Sequence, residues 1–527
     1  MNRFYWPPPR SGFLSEESKP LNRCHGLDPT TLHPRQDAVL GVLYDAIPTP
    51  PVSCATAEGL ESGDGFDRIS SLPDDILLRV VSRLPAKDGA RTAALSTRWT
   101  RLWRSVPLVV VDAHFLPRRG AEGRPPRRGT LSCAVTDAVF AAFESHPGPF
   151  PFVILTCSFF EAAATDRAVL ARWFQLLATK GVEELVFVNR PWPLSGLRLP
   201  AALFSCASLR RLWLGAWMFP DTASLPRGCA FPKLQELVLG CIGIEDRDLD
   251  FILAASPVLE TLTIVGDIEA LNARLASRSL RCAHLCFSCV EEVAVVDTPS
   301  LERLLIQKCW IGRRNGRKLV TRVKIGNAPK LSTLGYLEPG IHVLEIGNTV
   351  IKYGTKVSPN TTVPSVRMLA LQLHFKVRSE VKMLPCFLRC FPNVETLCIQ
   401  SEVTKEPTGN LDSKFWKKTS PIESVQSHLK TLVFREFQGE QSELDFLMYI
   451  AENARELKEL AIILKLGRYA AAEEVGLKLL SLESGKWASG ASKMGCLMSR
   501  LKDGDIIWSL EAGSDLSFSD PFLLGLD

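Results

Sequence analysis

No stretch of this chain is apolar for long enough to cross a bilayer. The most apolar run, Phe150 to Phe160, is short and is interrupted by Thr156, Cys157 and Ser158, whereas a spanning helix needs about 20 apolar residues. The opening Met1-Asn2-Arg3-Phe4-Tyr5-Trp6-Pro7-Pro8-Pro9 lacks the apolar core of a secretory leader. No secretion or membrane insertion is therefore expected, and the expected location is the nucleus, the cytoplasm or both. Charge of one sign is also scarce. A formal net charge of +5 over 527 residues is too small to imply nucleic-acid binding. Catalytic signatures are missing too. There is no Gly-x-Ser-x-Gly elbow, Walker phosphate loop, Rossmann glycine fingerprint or His-Glu-x-x-His helix, and the eight histidines form no acid–base pair. No catalytic residue and no cofactor is expected, so the chain reads as a non-enzyme. Its fifteen cysteines are scattered and odd in number. Without a leader they read as reduced core thiols, and Asn360-Thr361-Thr362, a glycosylation acceptor by pattern, is idle.

What is present is enough apolar material, 46% of the chain, for a large core and, by length, for about three domains. Residues 1–64 carry Pro7-Pro8-Pro9 and Pro48-Thr49-Pro50-Pro51 without sustained periodicity, and are expected to be disordered or loosely ordered. From residue 67 the pattern becomes helical. Pro73, Asp74 and Asp75 suit a helix start. Ile76, Leu77, Val80, Val81 and Leu84 then form a stripe that Pro85 stops. Asp88 can cap a second short helix. Ser96 can cap a third, carrying Trp99, Leu102, Trp103 and Val106. Three such helices make a core too small to be very stable alone.

This stretch resembles an F-box. The resemblance rests on Leu72-Pro73-Asp74, Ile76-Leu77, Leu84-Pro85, Lys87-Asp88, Leu95-Ser96, Trp99 and Trp103. It implies docking onto the Skp-type adaptor of a cullin–RING ubiquitin ligase through Leu72, Pro73, Ile76, Leu77, Val80, Leu84, Pro85, Leu95, Ser96, Trp99, Leu102 and Trp103.

A basic, breaker-rich link follows, with Arg118, Arg119, Arg124, Arg127 and Arg128 around Pro125-Pro126. It reads as a solvated insertion. Then one pattern recurs: an apolar residue, two variable residues, Leu, one variable residue, and another apolar residue. Val182–Leu185–Phe187, Leu209–Leu212–Leu214, Leu234–Leu237–Leu239, Leu259–Leu262–Ile264, Cys282–Leu285–Phe287 and Leu301–Leu304–Ile306 fit it. So do Leu331–Leu334–Tyr336, Val366–Leu369–Leu371, Val394–Leu397–Ile399, Leu429–Leu432–Phe434 and Leu457–Leu460–Ile462. This is the signature of leucine-rich repeats, in which each unit buries its leucines against the next. The helical return stretch is clearest at Asp248–Leu253.

The repeats bear on two clusters. Cys282, His284, Cys286 and Cys289 have the residue types of a zinc site, but Cys282 is expected at a repeat core position with Cys286 turned away, and no second ligand cluster accompanies them, so no metal is expected. Between Arg303 and Lys330 the basic residues Arg303, Lys308, Arg313, Arg314, Arg317, Lys318, Arg322, Lys324 and Lys330 meet no acidic residue. On one rim they would steer an acidic partner. A solvated inter-repeat loop is the expected arrangement.

Residues 427–439 and 443–454, reaching Leu457-Lys458-Glu459-Leu460, read as a strand, a turn at Gly439, an amphipathic helix and a second strand. They look like the FBD module that follows F-box and leucine-rich-repeat segments in plants, of the grass type here. The expected fold is α/β: a three-helix F-box, a leucine-rich-repeat β/α solenoid and an FBD-like C-terminal cap. Expected boundaries are 1–64 (Pro-rich), 65–110 (F-box), 111–135 (basic link), 136–415 (repeats) and 416–527 (FBD-like module and tail). The resemblance implies a substrate-recognition subunit of a Skp–cullin–F-box ligase whose repeats bind a target protein. A repeat scaffold, or a small-ligand sensor not acting through ubiquitination, is the alternative role.

Overall fold

The computed structural model describes residues 34–52, 69–115 and 128–464, apart from 159, 161–163, 190–196, 267–269, 310–312, 315–316, 319, 357, 405, 410 and 413, and then 479, 482, 487–489, 493–498 and 510–522. They form two compact units, one made mainly of Leu43–Leu259 and the other mainly of Glu260–Asp527. The first described helix, α1 (Pro34–Asp45), runs inside the segment expected to be loosely ordered, and that expectation fails there. Its Leu43 is fully buried against backbone too close for any side chain: a Cβ at Gly240 would lie 2.6 Å from Leu43 Cδ2.

In the first unit, helices α2 (Asp74–Val81), α3 (Ala86–Thr92) and α4 (Thr97–Ser105) lead into strand β1 (Val109–Val111). Helix α5 (Arg128–Ser145), β2 (Phe152–Leu155), α6 (Ala164–Thr179), β3 (Glu184–Val188), β4 (Arg211–Gly215), β5 (Glu236–Gly240) and α7 (Asp246–Ala255) follow. The strands pair in parallel, β1 to β5 in chain order. Leu185, Leu212 and Leu237 stand side by side, as do Phe187, Leu214 and Leu239, and all are buried. The repeat register read from spacing is therefore the register of the sheet. Alternation turns these residues to one face, where the helices close over them. Aromatics thicken that core: Phe187 lies 4.6 Å, ring centre to ring centre, from Trp217, whose Nε1 donates to Phe187 O at 3.0 Å.

The basic link does not begin where expected. Val111 belongs to β1, and Asp112 is a buried anchor, accepting from Cys157 N at 2.6 Å and Ser158 N at 2.9 Å. Residues from 128 onward belong to α5. Residues 116–127 lie outside the described residues.

In the second unit the strands β6 (Thr261–Val265), β7 (Leu271–Ala276), β8 (Cys282–Cys286), β9 (Val290–Asp297) and β10 (Arg303–Gln307) come first. A small antiparallel pair, β11 (Arg313–Arg314) and β12 (Arg317–Lys318), precedes β13 (Thr321–Asn327), β14 (Thr333–Leu337), β15 (His342–Ile346) and β16 (Thr349–Val350). Then come β17 (Met368–Leu373), helix α8 (Arg378–Cys390), β18 (Thr396–Ser401), α9 (Phe415–Lys418), α10 (Glu423–Ser427), β19 (Thr431–Phe437), α11 (Gln441–Asn453), β20 (Glu459–Leu464), β21 (Lys493–Met498) and α12 (Leu510–Ser514). The main ladder runs β6-β8-β10-β14-β17-β18-β19-β20-β21, all parallel.

From β6 to β17 the described return stretches contain no α-helix, only a 3-10 turn at Pro359–Thr361. β7, β9, β13 and β15 form a second parallel sheet, with β16 antiparallel at its edge. Their alternating burial, for example in Leu271–Ala276, is the period of a half-covered strand. The expected module at 427–460 is present as β19, a turn at Gly439 (φ +69°), α11 and β20. A capping box joins Glu440 and Glu443 at the start of α11, and β21 continues the ladder beyond β20.

Two repeats take a register different from the expected one. β8 pairs Ala283 with Leu262 and Leu304, and Leu285 with Ile264 and Ile306. The repeat is thus Leu280–Ala283–Leu285, and Cys282 and Phe287, though buried, do not hold the repeat's leucine-type positions. Phe287 stands at the turn after the strand with φ +51°, as Ala216, Cys241 and Lys308 do after theirs. In β14 a register shift between Leu334 and Leu337 makes Leu337, not Tyr336, the partner of Leu371. Gly335 allows it: with φ +156°, any Cβ there would sit 2.5 Å from Ala370 Cβ.

Buried titratable groups set opposing pH responses in this unit. Burial pushes His284 and His342 down to about 4. Burial pushes Glu443 up to about 7, and Glu338 likewise, helped by the Glu402 carboxylate. The histidine contribution is full above their unfolded value near 6.5 and is lost as pH falls towards 4. The glutamate contribution is full below about 4.5 and is lost as pH rises towards 7. The two oppose each other between pH 4.5 and 6.5. Glu443→Gln keeps an acceptor for the Gln438 and Glu440 amides but removes one opposing group. Its melting temperature should climb with pH across that window more steeply than the parent's, and parallel curves would refute the assignment.

Candidate functional site

Helix α2 carries two apolar stripes rather than one. Leu77 and Val81 are fully buried and pack inward with Trp99 and Leu102 of α4. Ile76 and Val80, four residues apart on the other side, are 41% and 42% exposed, and Leu95 is 67% exposed in the link before α4. Pro73 is exposed, and Leu72, Leu84, Pro85 and Trp103 are half-buried. Of the twelve residues expected to dock, Leu77, Trp99 and Leu102 therefore belong to the interior and shape the unit from within. A set of Pro73, Ile76, Val80 and Leu95 is left at the surface, with Ile69, 56% exposed, beside it. Sequence reading missed this division because adjacent apolar pairs, Ile76-Leu77 and Val80-Val81, blur the two stripes.

Polar contacts hold the three helices in place. Arg98 of α4 reaches back across the start of α2, with Nε donating to Asp74 Oδ1 at 2.8 Å, Nη1 to Ser70 O at 2.6 Å and Nη2 to Leu72 O at 2.7 Å. Ser96 caps α4 by accepting from Trp99 N at 3.5 Å. Asp88 does not cap α3; Pro85 holds the N-cap position, and Asp88 pairs with Arg91 at 2.8 Å. Trp103 packs between α3 and the His146 ring, 4.8 Å away. His146 Nε2 donates to Val106 O at 3.0 Å, and burial keeps the ring below its ordinary pKa. Leu108 N donates to Pro149 O at 2.9 Å, so α4 passes into the sheet without a free link.

Gly89, which sequence reading did not single out, lets α3 reach Trp103. A Cβ there would meet Trp103 Cζ3 at 2.8 Å. Gly89→Val should destabilise the helical unit by about 1–3 kcal/mol through overpacking, seen as faster amide exchange in α3 and α4. Unchanged exchange would show that the close approach is unimportant.

The other expected clusters resolve differently. Residues 282, 284 and 286 share parity along β8 and so face one side; Cys286 is not turned away from Cys282. Cys282 Sγ donates to Gly513 O at 3.4 Å, and His284 Nε2 bonds Gln307 Oε1 at 2.8 Å. Burial pushes the Cys282 thiol up to about 12, and among the described residues no group of His, Cys, Asp or Glu is arranged to hold a metal ion. The basic stretch is dispersed: Arg303 is buried, Lys308 pairs with Glu402 at 2.8 Å and Lys324 with Glu292 at 2.9 Å. The side chains of Arg313, Arg314, Arg317 and Lys318 lie outside the described residues. Cations gather instead in a cleft of about 780 Å³ beside α8, where Arg378, Lys382, Arg389 and Lys418 face Asp412. No described helix is long and apolar enough to cross a membrane.

Comparison with known proteins matches three family models along the chain: "F-box domain" over residues 69–110, "FBD-associated F-box protein At5g56370, LRR repeats" over 170–399, and "FBD" over 417–462. Among similar proteins, F-box/LRR-repeat protein 13 of Arabidopsis thaliana is 26% identical over 434 residues, covering 77% of this chain and 91% of its own. FBD-associated F-box protein At5g60610 of the same plant is 26% identical over 421 residues, covering 75% and 100%. F-box/FBD/LRR-repeat protein At4g00160 is 25% identical over 418 residues, covering 75% and 86%. The three modules occur here in the order seen along the folded chain, α2–α4, then the repeat strands, then β19–α11–β20, and the chain carries the F-box, leucine-rich-repeat and FBD modules that the names of these Arabidopsis relatives combine.

Proposed function

We propose that this chain is the non-catalytic substrate-recognition subunit of a Skp–cullin–F-box ubiquitin ligase. The observation that carries the reading is the set of exposed apolar residues Pro73, Ile76, Val80 and Leu95 on a helical unit that buries Leu77, Val81, Trp99 and Leu102 as its own core. Exposure of such a set in water is unfavourable and its burial on a partner is stabilising, and the F-box likeness of residues 69–110 supports a Skp-type adaptor as that partner. The repeats hold a target protein. Catalysis is by proximity, with the target's lysines held near a ubiquitin-conjugating enzyme bound elsewhere in the assembly. The test is affinity capture with the proteasome blocked, using the full chain and the Ile76→Glu/Val80→Glu chain. The full chain should bring down the Skp adaptor, cullin and ubiquitinated target. The variant should bring down the target alone. Capture of the ligase components by neither form would overturn the reading in favour of a scaffold.

A further inference from the structure

The strand face of the second unit turned away from the repeat leucines is not bare. Leu305, Tyr336, Ala370, Cys398, Val433 and Ile463 form an apolar strip along it, and Phe522 is buried among them. The Phe522 ring stands edge-on to Tyr336 at 5.3 Å. At one end of the strip Arg303, 5% exposed, donates to Ala512 O at 3.3 Å, Gly513 O at 3.4 Å and Asp515 O at 2.9 Å, and also to Phe518 O. At the other end Arg435, 2% exposed, donates to Phe522 O. Burial raises the pKa of Asp520, opposed by the amide of Phe522 and by the charges of Arg435 and Arg303. Gly513 lies where a side chain could not, since a Cβ would meet His284 Nδ1 at 2.7 Å.

We propose that this strand face is a peptide-recognition surface which segment 510–522 fills in cis, and that a partner segment of the same kind, a short helical turn followed by a turn carrying an aromatic residue, binds there by exchanging with it. The ligand class follows from the contacts. Two guanidinium groups taking main-chain carbonyls read backbone course rather than side-chain identity, as peptide-binding surfaces do. The Tyr336 strip selects an aromatic residue, and Asp520, accepting from Phe522 N at 2.8 Å, sets the turn that presents it in Asp520-Pro521-Phe522.

The grip of the segment suits exchange. It is buried at its ends, at Leu510, Ala512, Gly513, Pro521 and Phe522, while residues 517–519 stand exposed between. Few large apolar groups thus oppose the entropy of ordering the whole segment. The inference rests on the proposed function only for whose segment exchanges: if the repeats recognise a target, the incoming peptide is the target's.

The test uses a fluorescent peptide of residues 510–527 and the purified chain with and without those residues, so it reads nothing of adaptor binding or ubiquitination. The shortened chain should bind the peptide saturably and at least tenfold tighter than the full chain. Arg303→Gln or Arg435→Gln in the shortened chain, or Phe522→Ala in the peptide, should each weaken binding at least tenfold. A shortened chain with the parent's circular dichroism that binds no peptide overturns the proposal. If shortening unfolds the unit, Phe522→Ala in the full chain replaces it. That variant should take up the unaltered peptide where the parent does not, and failure to do so also overturns the proposal.

Discussion

Replacing Leu237 by Asp should collapse the stability of the first unit. Leu237 is fully buried and stands directly beside Leu212 in the parallel ladder. Truncation of such a leucine to Ala removes about 2–5 kcal/mol through lost transfer and a cavity. Aspartate adds an unpaired carboxylate in a site without donors, so the total should exceed about 4 kcal/mol, a large share of a domain's net stability. Repeat units are stabilised chiefly by their neighbours, so the loss should spread. Amide exchange should accelerate in β4 and β3 as well as β5. Leu262→Asp makes the same test in the second unit, where Leu262 pairs with Ala283. Because the two compact units are distinct, exchange should rise most in β6, β8 and β10. If both variants melt like the parent, the repeat register is wrong.

On the proposed function, the second large effect is at helices α2–α4. Ile76 and Val80 are each about two-fifths exposed and contribute little to the unit's own core, so Ile76→Glu/Val80→Glu should leave the fold intact. Anchors of this kind commonly cost about 2 kcal/mol or more each when lost from an interface, and a charge set against an apolar partner adds desolvation. Adaptor affinity should fall by at least about a hundredfold, with an unchanged melt. Leu77→Ala is the contrasting variant. It empties a fully buried site, and should lower the melt of the helical unit and adaptor binding together. Undiminished adaptor binding by the double variant would remove the basis for the assignment.

The repeat leucines were legible because their spacing is what the geometry demands: Leu212, Leu237, Leu369, Leu397, Leu432 and Leu460 all sit where strand alternation puts them. The misreadings have local causes. In β8 the core position is held by Ala283, too small to announce itself, and a search for leucine slid the register to Leu285. In β14 an inserted residue moved the role from Tyr336 to Leu337. The second sheet was missed because strands such as His342–Ile346 alternate over few residues and carry no leucine signature. Arg303 and Arg435 illustrate what spacing cannot convey. Each looks like a surface cation in its own repeat, and each is buried by a segment 75 or more residues later in the chain. The apolar residues of α2 were legible as composition, and only packing separated the exposed Ile76 and Val80 from the buried Leu77 and Val81.

One feature of the first unit bears on how a ligase of this kind would be aimed. Helix α4 ends at Ser105, β1 begins at Val109, and the residues between are pinned by the His146–Val106 and Leu108–Pro149 hydrogen bonds. A swivel there would let the adaptor-bound end sample many angles, diluting any lysine over a wide arc. A welded joint instead transmits the bearing of the docked helices into the first repeats as a fixed compass setting. If the chain acts as proposed, the lysines of a partner that come within range would be set by the angle built into this corner of the fold, and altering that angle would redirect the ligase without touching either proposed binding surface.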